Sequence, residues 1–240
     1  MRILITNDDS ISAEQLMPLA KYCQKLGEVT VAVPKYEQSA KSHGINIHTP
    51  FEVTKQQIDD MTVYVVDSTP ADCVRFAVLG LELKFDLIIS GINRGFNMGT
   101  DMLYSGTVSA VREAGILGIP AIALSTSPEY YDKAINHLDV VFDYINKNKL
   151  LETHSLYNIN IPPESSEVKI TSQGGPYFSD SFKNIDGDMY TACGKCVYKK
   201  TDDLSIDTNA VMSGYISISP ITINMTDKEI FNFLTKNASH

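Results

Sequence analysis

The spacing of apolar positions changes repeatedly along the chain, and each change marks a new element. Met1-Arg-Ile-Leu-Ile-Thr6 is a short, β-branched apolar run that reads as a buried first strand, closed by the polar turn Asn7-Asp8-Asp9-Ser10. Leu16, Leu19, Ala20, Cys23 and Leu26 then fall at helical spacing, and Gly27 supplies the stop. Pro18 fits only in the first turns of that helix. Glu28 to Val33 is a second strand, closed by Pro34. The pattern recurs: Thr62 to Val66 reads as a strand, and Pro70 to Leu79 as a helix with proline in its first turn. Phe85 to Ser90 is the next near-continuous apolar strand, leading into a glycine-rich loop from Gly91 to Tyr104. A helix from about Ser105 to Leu117 follows, ended by Gly118, and Pro120 to Ser125 is another buried strand. Ala134, Leu138, Val141, Phe142 and Ile145 mark a further helix. Strands alternating with helices imply an α/β fold whose mostly parallel sheet is covered on both faces.

After about residue 150 the alternation stops. Leu156 to Ile161 and Val168 to Thr171 read as strands, and Gly174-Gly175-Pro176 as a turn. Tyr177 to Asp207 is polar with little periodicity and is expected to project as an arm or hairpin. Gly214 to Pro220 alternates like a half-exposed strand, and Asp227 to Leu234 suits a short terminal helix. The expected division is therefore residues 1–150 as a core that carries the chemistry, and 151–240 as strands completing it plus the arm and helix, in one continuous structural domain.

Composition narrows the class. With 43% hydrophobic and 20% charged residues among 240, the chain is long enough to bury a substantial core. Its 20 Lys plus Arg against 29 Asp plus Glu give a formal net charge of -9, so no basic footprint exists for long nucleic acid. No apolar run approaches the ~20 residues of a membrane helix, and Met1 to Thr6 has no signal-peptide pattern, so a cytoplasmic protein is expected. The four cysteines do not read as a disulfide framework. Cys193-Gly-Lys-Cys196 lacks the second pair of ligands that structural zinc requires, and loop cysteines are the expectation.

In a doubly wound sheet, ligands bind where loops converge at the carboxyl ends of the strands. Three polar clusters should share that edge: Asn7-Asp8-Asp9, Gln38-Ser39-Ala-Lys-Ser42, and Ser90-Gly91-Ile-Asn93-Arg-Gly95-Phe-Asn97-Met-Gly99. Adjacent carboxylates at a buried strand end repel unless a cation lies between them, so Asp8 and Asp9 suggest a hard divalent metal, Mg2+ or Mn2+. The Ser39 hydroxyl and Asn93 carbonyl add neutral oxygens. Taken alone, the pair is better read as Asp9 capping a helix and Asp8 lying in a solvated turn. The third loop shifts the balance: Gly91, Gly95 and Gly99 allow close backbone approach, Asn93 and Asn97 add amides, and Tyr104-Ser105-Gly106-Thr107 opens a helix. That combination describes a phosphate cradle.

Ile-Leu-Ile-Thr-Asn-Asp-Asp near the start, and Ser-Gly-Ile-Asn-Arg-Gly-Phe-Asn-Met-Gly-Thr-Asp-Met-Leu-Tyr-Ser-Gly-Thr later, resemble the two signatures of the SurE survival-protein family. The resemblance continues through Leu117 to Ser125, Asn158 to Pro162 and Gly214 to Pro220, so it spans nearly the whole chain in order. It implies a three-layer Rossmann-like core with a C-terminal extended β-hairpin arm and short terminal helix. It also implies a metal-dependent phosphatase of nucleoside 5'-monophosphates, with 3'-monophosphates and short polyphosphate left open as further substrates. The family's metal ligands fall on Asp8, Asp9, Ser39 and Asn93, and its phosphate-binding stretch on Asn97, Ser105, Gly106 and Thr107. A homodimer or homotetramer with exchanged C-terminal elements is implied as well. The second loop departs from the family, because Ser39-Ala-Lys-Ser-His-Gly-Ile-Asn46 carries Ala40 and Gly44 where a glycine and a serine are usual. That departure bears on base and sugar contacts.

The expected mechanism has one metal ion polarising a phosphoryl oxygen and activating water, with Asp8 or Asp9, and Asp9 by preference, orienting or deprotonating that water. An aspartyl-phosphate route stays open. His43 and His48 flank the second loop and are expected at the surface, and Tyr104 either closes the pocket or stacks on a base, or else packs beneath the loop. A nucleotide-binding module without turnover, and a zinc or redox protein built on Cys193 and Cys196, are the competing classes.

Overall fold

A computed structural model describes residues 1–163 and 167–237. Eleven strands and seven α-helices are assigned among them. Nine strands form one sheet in the order β3-β4-β2-β1-β5-β6-β7-β11-β8. They are β1 (Arg2–Thr6), β2 (Glu28–Pro34), β3 (Val53–Ile58), β4 (Met61–Val66), β5 (Leu87–Arg94), β6 (Ala121–Thr126), β7 (Leu156–Ile161), β8 (Val168–Ile170) and β11 (Ile216–Pro220). From β4 through β2, β1, β5 and β6 to β7 every pairing is parallel. β3 closes one edge antiparallel to β4; toward the other, β11 runs antiparallel to β7 and the edge strand β8 pairs parallel to β11. The chain winds outward from β1 to β2 and β4, then returns to lay β5 on the other side of β1. The crevice beyond β1 and β5 is therefore the switch point at which such sheets bind ligands.

Both faces of the sheet are covered, which explains the uninterrupted apolar strands. Successive β1 residues point to opposite faces: Ile3 and Ile5 join one buried cluster and Leu4 the other. On the first face lie α1 (Leu16–Gln24) and α4 (Leu138–Lys147), through Leu16, Leu19 and Cys23 and through Leu138, Val141 and Phe142. On the second lie α2 (Pro70–Arg75) and α3 (Gly106–Ile116), through Cys73 and Val74 and through Val108, Val111 and Ala114. α5 (Leu150–Thr153) leads into β7, and α6 (Asp207–Met212) packs beside β11.

Several expected elements change in detail. The strand expected to end at Ser90 runs on to Arg94, so Gly91 to Asn93 belong to β5; its pairing with β6 shifts register between Ser90 and Asn93. The rest of the expected loop is partly a 3-10 helix, Gly99–Leu103. The helix from Pro70 gives way after Arg75 to a wider π turn, Phe76–Gly80. Ala134 belongs to a separate 3-10 segment, Pro128–His137, ahead of α4. The polar segment after Tyr177 is a hairpin of β9 (Phe178–Asp186) and β10 (Met189–Cys196), a two-stranded sheet of its own. Beyond it lies α7 (Lys228–Asn237). No described helix is long and apolar enough to cross a membrane.

Candidate active site

The site is built where β1 ends. Asp8 is 4% exposed, and its side chain points at the start of α3, accepting a short hydrogen bond from the Thr107 hydroxyl. The Thr107 backbone N–H favours the same carboxylate. Asp8 thus occupies the positive end of α3, where an anion is stabilised by free amides and the helix dipole. Gly106 is required there, because a Cβ on it would lie 2.8 Å from the Asp8 Cβ. Ser105 caps α3 by accepting from the Val108 N–H at 3.2 Å.

The other expected ligands are held by contacts of their own. Asp9 Oδ2 accepts from the Arg94 N–H at 3.1 Å, which ties it to the end of β5. Asn93, the neighbour of Arg94, donates its amide nitrogen to the Gly95 carbonyl at 2.8 Å, leaving its amide oxygen as the end it can offer. The second loop docks through the Gln38 N–H on the Asp8 carbonyl at 2.8 Å. Ser39 follows, exposed, with its hydroxyl donating to Glu37 Oε1 at 2.7 Å.

Electrostatics at this edge is that of a site short of positive charge. Burial pushes the Asp8 carboxyl above its ordinary value, opposed mainly by the Thr107 hydrogen bond, while the Glu37 charge adds to the rise. Asp9 is pushed up to about 6, first by burial and then by the Asp8 charge, against the Arg94 N–H. Two carboxylates, an amide carbonyl and a hydroxyl are hard oxygen donors, and the negative crowding favours a cation among them, so these residues fit a hard divalent ion. Asn7 Oδ1, just past the end of β1, and Ser90 Oγ, within β5, are buried and find no hydrogen-bond partner among the described residues, so the floor keeps spare polar atoms.

Asn97 is buried and tied on several sides. Its side-chain amide donates to Ser125 Oγ at 2.8 Å, its N–H donates to Asn160 Oδ1 at 2.8 Å, and its carbonyl accepts from Asn158 and Asn160 at 2.7 and 2.9 Å. Residues from β6 and β7 therefore hold the glycine loop from below. Gly99 fixes its far end: with φ +56° it turns left-handed, and its N–H meets the buried Asp207 carboxylate at 2.8 Å. Asn160 lies in the stretch from Asn158 to Pro162 that carries the family resemblance, but neither it nor Asp207 was expected as a support of this loop, since 63 and 108 positions separate them from their partners.

His43 corrects the expectation of a surface histidine. Its Nε2 lies 2.8 Å from Glu113 Oε2, whose other oxygen accepts from Arg75 at 3.0 Å, and the His43 side chain is only 19% exposed. Asp72 extends this bracing by accepting from Ser68 at 2.5 Å and from the Asn46 N–H at 2.8 Å. The second loop is thus fastened to α2 and α3 behind the carboxylates. His48 is exposed. Tyr104 is 60% exposed, which excludes packing beneath the loop. Cys193 and Cys196 lie on β10 rather than in a loop, and three positions apart on a strand they face opposite sides. No cluster of three or more histidine, cysteine or acidic side chains suited to a metal occurs among the described residues.

The family model described as Survival protein SurE matches residues 3–180. The chain belongs to the SurE family. Among its relatives, the 5'-nucleotidase SurE of Clostridium beijerinckii is 38% identical over 252 residues, covering 98% of both chains. The 5'-nucleotidase SurE of Thermoanaerobacter sp. is 39% identical over 246 residues, covering 98% of this chain and 97% of that one. Among solved structures, the SurE protein of Aquifex aeolicus superimposes with a TM-score of 0.78 at 27% identity, over the full length of both chains. The nine-stranded SurE core described above and its projecting hairpin are thus a shared architecture, and the Asp8 edge lies within the matched span.

Proposed function

We propose that this SurE chain is a phosphatase that hydrolyses nucleoside 5'-monophosphates to nucleoside and phosphate with one divalent cation, Mg2+ or Mn2+. The observation that carries it is the Asp8 and Asp9 pair at the β1 and β5 switch point, one carboxylate seated on α3 and the other turned to the strand ends. Two relatives named 5'-nucleotidase, each covered almost end to end, support the substrate class.

Asp8, Asp9, Asn93 and Ser39 would hold the cation, which supplies Lewis-acid polarisation of a phosphoryl oxygen. Thr107 and Gly106 act through Asp8, the first by hydrogen bonding and the second by leaving it room. Ser105, Gly106 and Thr107 also bring the phosphate to the open turn of α3, and Asn97 joins them by exchanging its Ser125 partner for a phosphate oxygen. Asp9 is the better carboxylate to orient and deprotonate the attacking water, because it is the less buried of the two, whereas Asp8 is enclosed against Thr107. Hydrolysis of 3'-monophosphates and of short polyphosphate belongs to the same proposal as secondary activity.

Assembly into a dimer or tetramer through C-terminal elements is supported by apolar residues left at the surface. Phe182, Ile185, Met189 and Tyr190 on the hairpin are each more than 60% exposed, and Ile230, Phe231 and Leu234 on α7 more than half.

The test is phosphate release from a panel of nucleoside monophosphates after chelation and after return of Mg2+ or Mn2+, with Asp8→Asn beside the wild type. Restored release that Asp8→Asn abolishes is expected. Saturable nucleotide binding with no release under any condition would instead favour a binding module.

A further inference from the structure

The carboxylate edge has a cation beside it that the assignment above leaves unused. Arg94 ends β5, next to Asn93, with its backbone fixed on two sides: its N–H donates to Asp9 Oδ2 at 3.1 Å, and it pairs with Thr126 of β6. Its guanidinium does not follow the backbone to Asp9. It stands over the ring of Tyr131 instead, 5.8 Å from the centroid. That ring is a firm seat, because Tyr131 is only 6% exposed, belongs to the 3-10 segment that packs on β5, and accepts from the Gln15 N–H through its hydroxyl at 3.5 Å.

The guanidinium is therefore held but uncommitted. Arg2 pairs with Asp86, and Arg75 with Glu113 and Asp72, whereas Arg94 forms no ion pair and donates no side-chain hydrogen bond among the described residues. It is nevertheless within electrostatic reach of the site: burial first, then the charges of Asp8 and Glu37, raise the Asp9 carboxyl, and the Arg94 charge lowers it. An arginine this close to a carboxylate ordinarily closes on it as a forked pair. Here the backbone N–H serves Asp9 and the ring face keeps the fork apart from it, which leaves the carboxylate to a metal ion and the five guanidinium donors to an anion. Arg94 is exposed, so an anion can reach it.

We propose that Arg94 is a further substrate-binding residue, whose guanidinium holds oxygens of the phosphoryl group from the β5 side while the start of α3 receives the same group from the other. The inference rests on the phosphatase assignment above and adds to it. The need is one of charge: Asp8 and Asp9 together cancel a single divalent ion, so a phosphate dianion finds no net positive charge in that ligand set, and Arg94 supplies one. In the reaction the water oxygen forms the new P–O bond, and the ester P–O bond breaks with its electron pair passing to the nucleoside oxygen. A proton from the water ends on that oxygen. Arg94 exchanges no proton and neutralises charge on the phosphoryl oxygens throughout.

Arg94→Gln keeps the backbone N–H on Asp9 and removes only the guanidinium, so the two contacts separate. Phosphate release from AMP with Mg2+, its inhibition by orthovanadate, and calorimetric binding of inorganic phosphate are measured for the wild type, Arg94→Gln and Arg94→Lys. In Arg94→Gln, kcat is expected to fall about 10²-fold, as for loss of one preorganised donor, and both anions to bind about tenfold more weakly. Arg94→Lys should recover part of each loss, while the unfolding midpoint and the Mg2+ concentration for half-maximal rate stay at the wild-type values. Wild-type kcat and anion binding in Arg94→Gln would overturn the proposal. A loss of rate that excess Mg2+ fully restores would overturn it too, by making Arg94 a support of the metal ligands. A wild type that releases no phosphate from any nucleoside monophosphate removes the phosphatase assignment; weaker phosphate binding by Arg94→Gln would then still uphold Arg94, and equal binding would overturn it.

Discussion

The end of β1 and the β9–β10 hairpin are opposite solutions to placing a side chain. At β1 the two carboxylates are held by partners from distant elements, Asp8 by α3 and Asp9 by the end of β5, and the second loop is held by the Asp8 carbonyl. In the hairpin, two strands pair only with each other, and Phe182, Ile185, Met189 and Tyr190 lie exposed. A two-stranded ribbon has little independent stability. The first region is rigid because folding fixes it; the second keeps apolar area for a later contact. A substitution near β1 should therefore register in chemistry or stability, and one toward the hairpin tip in assembly.

Four variants break or sharpen that contrast, in falling order of effect. Asp9→Asn removes the proposed base and a cation ligand together, and phosphate release should fall by at least ~10³-fold while thermal unfolding stays cooperative. Thr107→Val deletes the hydroxyl on Asp8; activity and the metal concentration for half-maximal rate should each worsen by ~10- to 100-fold, as for loss of a group orienting a ligand. An unchanged metal dependence would detach Thr107 from the centre.

Glu113→Gln comes third and reads out in stability, with an expected loss of about 1–3 kcal/mol in urea unfolding. Burial raises the Glu113 carboxyl, but the hydrogen bonds from His43 and Arg75 overcome it and hold it below its ordinary value. A depressed carboxyl contributes stability that is present above its unfolded value and lost as pH falls through its folded value. The wild type should therefore show an acid-side loss of stability that is smaller in Glu113→Gln, measurable by unfolding across that range. Last, Phe182→Ser with Ile185→Ser should leave monomer stability within about 0.5 kcal/mol while reducing the mass seen by light scattering. If stability falls and mass does not, the hairpin belongs to the monomer's own packing and the contrast fails.

Legibility along the chain follows the same division. β1, β5 and β6 stand out in sequence because both faces of the sheet are covered and each strand carries an unbroken apolar run, Ile3 to Ile5, Leu87 to Ile89 and Ala121 to Leu124. β3 does not, since it is an edge strand whose Thr-Lys-Gln-Gln interior is exposed and only Val53 and Ile58 are half-buried. The extension of β5 through Gly91 was hidden because glycine reads as a loop where here it lies in a strand with irregular pairing. In the candidate site, Asp8, Asp9, Asn93 and Thr107 were legible as local clusters. The supports were not: Asn160, Asp207 and Glu113 act across 63, 108 and 70 positions, and nothing in a short window reveals a partner so far away. Thr107 was legible as a residue but not in its role, because only the packed structure shows its hydroxyl turned to Asp8.

The hydrogen bond from Gly99 to Asp207 also sets an order of events during synthesis. When the first 150 residues have left the ribosome, β1, β5 and α3 are all present, yet the glycine loop lacks Asn160 beneath it and Asp207 at its end. Chains generally fold as they emerge. The nascent protein would thus carry its aspartates for some time before the loop beside them is anchored, and a chain cut short of Asp207 would keep the signature motifs without the geometry that they need.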